Sequence, residues 1–328
     1  MSQFTTRRQA LALALVALAA GGAGAQADYP RKPIRLVVQY QAGGSADTLA
    51  RIIGEPLAQR LGQPVLVENR SGAGGIIGTD FVAKSAPDGY TLLLTVPGPI
   101  TANIALYGKL PYDPRTDLRM ISDIAVPRTV LAVHPSVPAT DYKSLIAAVK
   151  AAPGKYTMGS WGPGTQPHQI QVFMDRSYGL QTTHVPYKGE APMVVDLVGG
   201  VVSMTVGSTA SLQQHIAAGK LRALAVAGTR RARALPEVST FAEQGYGDPV
   251  YAITGPISLM APAKTPDAIV ERLGREVAAI VHQPEVARRI EALGAEPVGS
   301  LPAEAAAAYK AFLPIVLKLT QDTGVQLD

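Results

Sequence analysis

Cysteine is absent from the 328-residue sequence, and this absence removes two kinds of structure from consideration. Without thiols the chain can form neither disulfide bonds nor thiolate metal sites, so its stability has to come from packed cores. Aromatic residues are also scarce, at 5%, and Trp161 is the only tryptophan. The 30 basic residues slightly outnumber the 25 acidic ones and are scattered. This distribution argues against a nucleic-acid partner and is compatible with an anionic ligand.

Catalytic and metal-binding patterns are missing as well. The five histidines include no pair at i, i+4, the spacing that turns two imidazoles toward one metal ion. Met158 stands where a nucleophile elbow around Ser160 would need glycine. We therefore predict no catalytic residues, no metal and no cofactor. A secreted hydrolase that uses Ser160 is the enzymatic alternative.

A long apolar run occurs only near the amino terminus. Arg7 and Arg8 precede an apolar segment, residues 10–20, and Ala25 and Ala27 form the small-x-small pattern that a signal peptidase recognises. We predict a signal peptide over residues 1–27, cleavage after Ala27 and export to the periplasm. The paired arginines fit both a Sec signal and a twin-arginine signal. No later run reaches membrane-spanning length.

Short β-branched runs alternate with amphipathic stretches through the rest of the chain. Ile34–Val38 predicts a buried strand, and residues 46–61 predict a helix with one apolar face and a kink or break at Pro56. The alternation resumes after Asp123. Prolines open the three helices predicted at the carboxy-terminal end, residues 266–282, 284–293 and 302–319.

This alternation predicts an α/β protein with two doubly wound lobes and mostly parallel sheets. No strand-rich unit follows the last three helices, so they are expected to pack on the first sheet. The chain then leaves the first lobe near Val126 and returns near Tyr251. These crossings give lobe 1 as residues 28–126 plus 252–328 and lobe 2 as residues 127–251, joined by a two-strand hinge.

Two glycine-rich loops lie between a predicted strand and its helix. The first covers residues 41–47, with Ser45 as the expected N-cap, and the second covers residues 159–165, with Thr165 as the N-cap and Pro167 in the first turn. Each helix N-terminus would offer free N–H groups to an anion, and the two loops could converge on one carboxylate. The alternative is that both are ordinary tight turns.

Two ring side chains belong to the second loop. Trp161 is expected to form a wall of a cleft, or else an anchor packed on the surface. His168 could face the cleft, or it could be a partly exposed capping side chain. The sequence alone leaves both alternatives open.

At this level of detail the chain resembles the solute receptors of tripartite tricarboxylate transporters, the Bug family. Seven runs carry the resemblance in family order and span nearly the whole chain after the signal segment: residues 37–51, 67–75, 87–93, 106–114, 185–189, 219–226 and 261–266. The resemblance implies a type II periplasmic-binding-protein fold with a ligand between the lobes, held by backbone groups and water.

The resemblance also implies positions for the ligand contacts. Together with Ser45 and Trp161, the expected ligand-binding residues are Ala42, Gly43, Gly44, Asp47, Gly98, Ser160, Gly162, Gly164, Thr165 and His168. The third loop, residues 97–101, departs from the family pattern because prolines flank Gly98. Residues 201–208 and 251–254 depart as well. These departures leave the identity of the ligand open.

The function implied by the resemblance is capture of a small organic acid anion and its delivery to integral membrane transporter subunits, by a monomer. The alternative is a sensor that presents the bound solute to a membrane sensor kinase. A transcription-factor effector domain is disfavoured because the chain has a signal segment and lacks a DNA-binding helix pair.

Overall fold

The computed structural model describes residues 29–327, so the predicted signal peptide lies outside the described residues. The strands are β1 (Ile34–Val38), β2 (Val65–Asn69), β3 (Thr91–Thr95), β4 (Leu118–Pro127), β5 (Thr129–Val133), β6 (Thr157–Ser160), β7 (Thr183–Pro186), β8 (Met204–Ser208), β9 (Arg222–Ala227), β10 (Ile257–Pro262) and β11 (Ala295–Pro297). The helices are α1 (Ser45–Leu61), α2 (Ile76–Ala83), α3 (Pro97–Ile100), α4 (Ala102–Leu106), α5 (Tyr142–Ala151), α6 (Gln166–Tyr178), α7 (Glu190–Val198), α8 (Thr209–Ala217), α9 (Pro249–Ala252), α10 (Asp267–Val281), α11 (Pro284–Ala292) and α12 (Pro302–Asp322).

The strands form two sheets, and each sheet defines one lobe. The first sheet has the order β11–β4–β10–β3–β1–β2, and the second has the order β7–β6–β8–β5–β9. The chain passes from the first sheet to the second between β4 and β5, and it returns between β9 and β10. The predicted lobe boundaries lie close to these passages, and we keep them as a proposal for the division of the chain.

Helices cover both faces of each sheet, as predicted for doubly wound lobes. On the first sheet α1, α10 and α11 close one core, and α2, α3 and α12 close the opposite one. On the second sheet α5 and α6 pack on one face and α7 and α8 on the other. The expectation that the last three helices return to the first sheet is confirmed.

The prediction of mostly parallel sheets is wrong. β1 runs parallel to β2 and β3, but β10 is antiparallel to both of its neighbours, and so is β5 in the second sheet. The long strand β4 and the later strands β10 and β11 were not predicted. Each of these strands lies beside a passage between the lobes, outside a local strand–helix–strand unit whose rhythm would reveal it.

Two local predictions also need correction. The helix α1 is continuous from Ser45 to Leu61, so the break expected at Pro56 is absent. Ile53 and Leu57 are fully buried on either side of the proline, and their packing holds the helix together across the one missing backbone donor. The apolar pattern of residues 201–206 predicts a strand that begins at Val201, but the strand begins at Met204, because residues 199–200 form a turn and leave Val201 exposed. Among residues 29–327 no helix is both long and apolar enough to cross a bilayer.

Candidate functional site

A cavity of about 170 Å³ lies between the two lobes. The first lobe contributes the loop before α1, the segment around α3 and part of α12, and the second contributes the loop before α6 and the turn before α7. Eight predicted site residues line the cavity: Ala42, Gly44, Ser45, Asp47, Gly98, Trp161, Gly164 and Thr165. The other four, Gly43, Ser160, Gly162 and His168, lie outside its lining.

The first loop is held by the buried carboxylate of Asp47. One oxygen accepts hydrogen bonds from the Gly43 N–H at 3.0 Å and from Arg51 Nε at 3.1 Å. The other accepts from Arg51 Nη2 at 3.0 Å and from Asn69 Nδ2 at 3.1 Å. Burial by itself raises the pKa of Asp47, but these donors outweigh it and lower the pKa below its ordinary value. The carboxylate is therefore ionised and its charge is compensated by Arg51.

The first turn of α1 faces the cavity. Its N-cap is Gly44 rather than the predicted Ser45, which is the first helical residue. Asp47 supplies the side-chain acceptor that pins Gly43, so the hydroxyl of Ser45 is not needed as a cap. The first intrahelical bond joins the Thr48 N–H to the Gly44 carbonyl at 3.0 Å. In α1 the earlier N–H groups point out of the helix end, where they can meet an anion in the cavity.

The second loop is held by neutral groups. Ser160 is fully buried, and its Oγ lies 2.6 Å from His184 Nε2 and 3.0 Å from the Gly162 carbonyl. His168 Nδ1 accepts a hydrogen bond from the Gly164 N–H at 2.9 Å. The rings of His168 and His184 are stacked, with centroids 3.9 Å apart and an interplanar angle of 2°.

Both imidazoles are held in the uncharged form. Burial lowers the pKa of His168 to about 4, with a further contribution from His184, and burial also lowers the pKa of His184. A neutral His168 is required by the geometry, because Nδ1 has to be unprotonated to accept from Gly164. The His168 side chain is therefore a buried support for the loop. It is neither partly exposed nor part of the cavity lining, the two alternatives that the sequence left open.

The contact between Ser160 and His184 has the residue types of a nucleophile and a base. However, Ser160 has no exposed surface and does not line the cavity, so its hydroxyl has no access to a molecule bound there. The same hydroxyl accepts from the Gly162 N–H at 3.2 Å, which ties it into the loop. The arrangement is that of a structural hydrogen-bond network.

Trp161 and Thr165 complete the second loop at the cavity. Trp161 lines the cavity and also packs against the apolar core beneath α7. It therefore combines the two roles expected from the sequence, a cavity wall and a packed anchor. Thr165 is the N-cap of α6, as predicted, and Pro167 lies in its first turn. The Thr165 hydroxyl donates to the Gly162 carbonyl at 2.6 Å, so it braces the loop.

Sequence reasoning missed a third helix N-terminus at the cavity. The turn before α7 brings Lys188, Gly189 and Glu190 into the lining. Glu190 accepts from both the N–H and the hydroxyl of Ser208, at 2.5 and 2.9 Å, and burial raises its pKa. The sequence does contain a signal for this helix N-terminus. Gly189 lies between a strand and a helix, as do the glycines of the first two loops.

Lys188 and Arg128, two cations that could clamp an anion if they faced the cavity, have different positions. Lys188 lines the cavity and is exposed. Arg128 is buried beside the passage between the lobes, forms an ion pair with Glu296 at 2.6 Å and does not line the cavity. The cavity therefore has one cationic side chain and no buried arginine clamp in its lining.

The carboxy-terminal helix α12 forms part of the same cavity. Phe312 and Val316 line it. Farther along the helix, Thr320 Oγ1 accepts from Gln169 Nε2 of α6 at 2.9 Å, so α12 touches both lobes. The local sequence does not predict these contacts, because they depend on the direction in which α12 crosses the lobes. Within residues 29–327 no group of three or more histidine or acidic residues is placed to bind a metal ion.

Comparison with known proteins agrees with this architecture. The family model described as the tripartite tricarboxylate transporter family receptor, TctC, matches residues 49–307. Protein BugT of Bordetella pertussis is 38% identical over 299 residues, which cover 90% of this chain and 91% of BugT.

Solved structures with bound solutes are also similar. The R. palustris protein Rpa4515 with adipate has a TM-score of 0.85 and 32% identity, and the alignment covers 91% of this chain and 99% of that one. MatC from Rhodopseudomonas palustris with bound malate has a TM-score of 0.81 and 28% identity, and the alignment covers 89% and 100% of the two chains. The chain belongs to the tripartite tricarboxylate transporter receptor family, the Bug-type periplasmic solute-binding receptors.

Proposed function

We propose that this receptor captures a small organic acid anion in the cavity between its lobes and delivers it to the membrane subunits of a tripartite tricarboxylate-type transporter. The observation that carries the proposal is the convergence of three helix N-termini, those of α1, α6 and α7, on one cavity. Each terminus carries roughly half a positive charge and free N–H donors, so a carboxylate gains most where several meet. We place the protein in the periplasm, as a monomer exported by its signal peptide.

The charges around the cavity support an anionic ligand. Of its acidic lining residues, Asp47 has its charge compensated by Arg51, and burial raises the pKa of Glu190 and so disfavours its ionised form. Lys188 adds one positive charge at the exposed edge. An anion therefore meets a favourable potential without a buried arginine. Adipate and malate bound to two similar receptors support the carboxylate class.

Contacts between the lobes suggest how binding is signalled. Leu106 of the first lobe lies against Gly164 in the second loop, and Gln166 Nε2 of the second lobe donates to the Ile253 carbonyl at 2.9 Å beside one passage. An anion that touches loops of both lobes binds the closed arrangement better than an open one, so it shifts the population toward closure. We propose that the membrane subunits recognise this closed form. The eight lining residues named above are the proposed ligand contacts, and Gly43, Ser160, Gly162 and His168 hold the two loops.

The test is thermal unfolding of residues 28–328, refolded from denaturant to remove bound solutes, against a panel of organic acids. A ligand at a hundred times its dissociation constant adds about 2.7 kcal/mol, which raises Tm by several degrees. We expect a rise with a few carboxylates and none with their neutral amides. A folded protein that responds to no carboxylate would contradict the proposal.

A glycine pair supplies the matched control. A Cβ on Gly44 would meet only the Gln41 carbonyl, at 3.8 Å, and one on Gly247 would meet nothing within 4 Å. Neither residue has a positive φ, so leucine is tolerated by the backbone at both positions. Because Gly44 lines the cavity, Gly44→Leu is expected to weaken acid binding at least tenfold. Gly247→Leu should leave binding unchanged.

A further inference from the structure

The first lobe contains a buried acidic side chain that the proposed anion site does not use. Asp123 lies in the middle of β4, an interior strand, and is 5% exposed. Aspartate is unfavourable in strands, and burial of a carboxylate without a cation costs several kcal/mol. No ion pair joins Asp123 to a cation in the described part of the chain. Its position therefore needs a chemical reason.

One oxygen of this carboxyl group is satisfied and the other is not. Ser258 lies directly opposite Asp123 in the ladder between β10 and β4, and its hydroxyl donates to Asp123 Oδ1 at 2.6 Å. Oδ2 makes no hydrogen bond to any residue between 29 and 327. Burial raises the pKa of Asp123, against a smaller opposing effect of Ser258. A protonated carboxyl would leave one O–H donor without a partner.

Asp123 lines a second cavity of about 190 Å³ in the first lobe. Its other walls are mainly apolar, including Ile100 and Met120. The three hydroxyl groups on its wall already have acceptors: Ser258 donates to Asp123 Oδ1, Thr101 donates to the Pro97 carbonyl at 2.7 Å, and Tyr309 donates to the Ile100 carbonyl at 2.5 Å. The free carboxyl oxygen of Asp123 is therefore the polar group best placed to meet a guest there.

The second cavity adjoins the cavity between the lobes. Pro97, Thr101 and Phe312 line both. At this partition Gly255 lies so close to its neighbours that a Cβ would come within 2.2 Å of Pro97 Cγ and 2.7 Å of Phe312 Cζ. The half-buried Phe312 therefore forms part of the partition, and we expect a rotation of its ring to join the two cavities.

We propose that the second cavity receives the far end of an elongated monocarboxylate and that Asp123 hydrogen-bonds an uncharged polar group, a hydroxyl or an amide, at that end. The inference rests on the proposed function, which places the carboxylate at the helix N-termini. The apolar walls then hold the methylene chain, which passes beside the rotated ring of Phe312. Asp123 acts as a specificity-determining residue.

The same geometry disfavours a second carboxylate at the far end. Two acidic groups in an apolar cavity cannot both be ionised without a large desolvation penalty and mutual repulsion. A terminal ammonium would ionise Asp123 and form an ion pair with only Ser258 for further support. An uncharged hydroxyl or amide can hydrogen-bond the free oxygen of Asp123 without either cost.

The test compares acids of equal length that differ only at the far end: hexanoate, 6-hydroxyhexanoate, adipate and 6-aminohexanoate, with the four- and eight-carbon equivalents. Dissociation constants are measured by calorimetry at pH 7 on the stripped protein, the Asp123→Asn variant and the Asp123→Leu variant. At the best length we expect the hydroxy acid to bind about tenfold more tightly than the unsubstituted acid. The diacid should bind less tightly than the hydroxy acid. Asp123→Leu should abolish the preference, and Asp123→Asn, which keeps a hydrogen-bonding group, should retain most of it.

Each other outcome has a distinct meaning. If the acids bind but the far end and the Asp123 variants make no difference, the proposed function stands and this inference is wrong. Preference for 6-aminohexanoate would also overturn this inference, because the far end of the second cavity would then select a cationic group. If no acid binds to a protein shown to be folded by circular dichroism, the carboxylate proposal fails and the inference fails with it.

Discussion

The two glycine-rich loops present helix N-termini to the same cavity, but different chemistry holds each of them in place. In the first loop an ionised Asp47 accepts from Gly43, Arg51 and Asn69. In the second, neutral His168 accepts from Gly164 and stacks on a second imidazole. Charge-assisted bonds tolerate mild acid, whereas an unprotonated imidazole does not. Two glycine-rich loops that look alike in sequence can therefore respond differently to a fall in pH.

Their surroundings differ as well. Gly43 and Gly164 both have positive φ, +90° and +69°, which favours glycine. A Cβ on Gly43 would meet nothing within 4 Å, but one on Gly164 would come within 2.1 Å of Leu106 Cδ1. The second loop is therefore in contact with the other lobe, and the first is open on that side.

The largest expected effect is a steric difference between alanine substitutions in the two loops. Gly43→Ala should cost about 1 kcal/mol, through backbone strain alone. Gly164→Ala should cost roughly 3 kcal/mol in the closed form, because the methyl group also overlaps Leu106. Ligand affinity measured by calorimetry should therefore fall roughly thirtyfold more for Gly164→Ala than for Gly43→Ala.

Urea unfolding of the ligand-free variants provides the control for this prediction. If the extra cost arises on closure, both variants lose a similar amount of free energy of unfolding in the absence of ligand. Equal affinities for the two variants would show that the contact between Leu106 and Gly164 does not form in the bound state.

The next effect is a difference in how the stabilisation of the two loops depends on pH. An unfolded histidine has a pKa near 6.5, and burial lowers that of His168 to about 4, so between these values the unfolded chain binds more protons. The stabilisation from neutral His168 is complete above pH 6.5 and is lost as the pH falls toward 4. It amounts to about 3 kcal/mol. The Asp47 carboxylate, whose pKa is lowered, remains ionised over this range.

His168→Asn tests this, because asparagine keeps an oxygen that can accept from Gly164 and cannot be protonated in this range. Urea unfolding should show the wild type losing about 3 kcal/mol relative to His168→Asn between pH 7 and pH 4. The difference between the two proteins cancels the opposite trend of buried acids such as Glu190 and Asp123, whose pKa values are raised. The same substitution at exposed His282 is the control, and parallel curves for all three proteins would contradict the assignment.

Much of the fold could be predicted because its signals are local. The strand–helix alternation that begins at Ile34–Val38 and the prolines before the last helices predicted two doubly wound lobes. The strands β4, β10 and β11 were missed because their partners come from distant parts of the chain. Their pairing depends on the passages between lobes, which no short window of sequence records.

The candidate site divides in the same way. Glycine loops before helices located Gly44 and Gly164 at the cavity, since a helix N-terminus is encoded within a few residues. The roles of His168 and His184 could not be predicted, because their stacking joins α6 to β7. Phe312 and Asp123 could not be placed for the same reason: each meets its neighbours only after the first lobe is assembled.

The smallest effect tests whether charge itself, or only hydrogen bonding, holds the first loop. Asp47→Asn keeps one acceptor but loses the charge-assisted bonds from Arg51 and Gly43, so it should cost about 2 kcal/mol in urea unfolding. Arg51 is largely exposed, so Arg51→Met alone should cost less than Asp47→Asn. In the double variant the neutral amide no longer faces a cation, and the combined cost should be smaller than the sum of the single costs. Full additivity would mean that Asp47 holds Gly43 independently of Arg51.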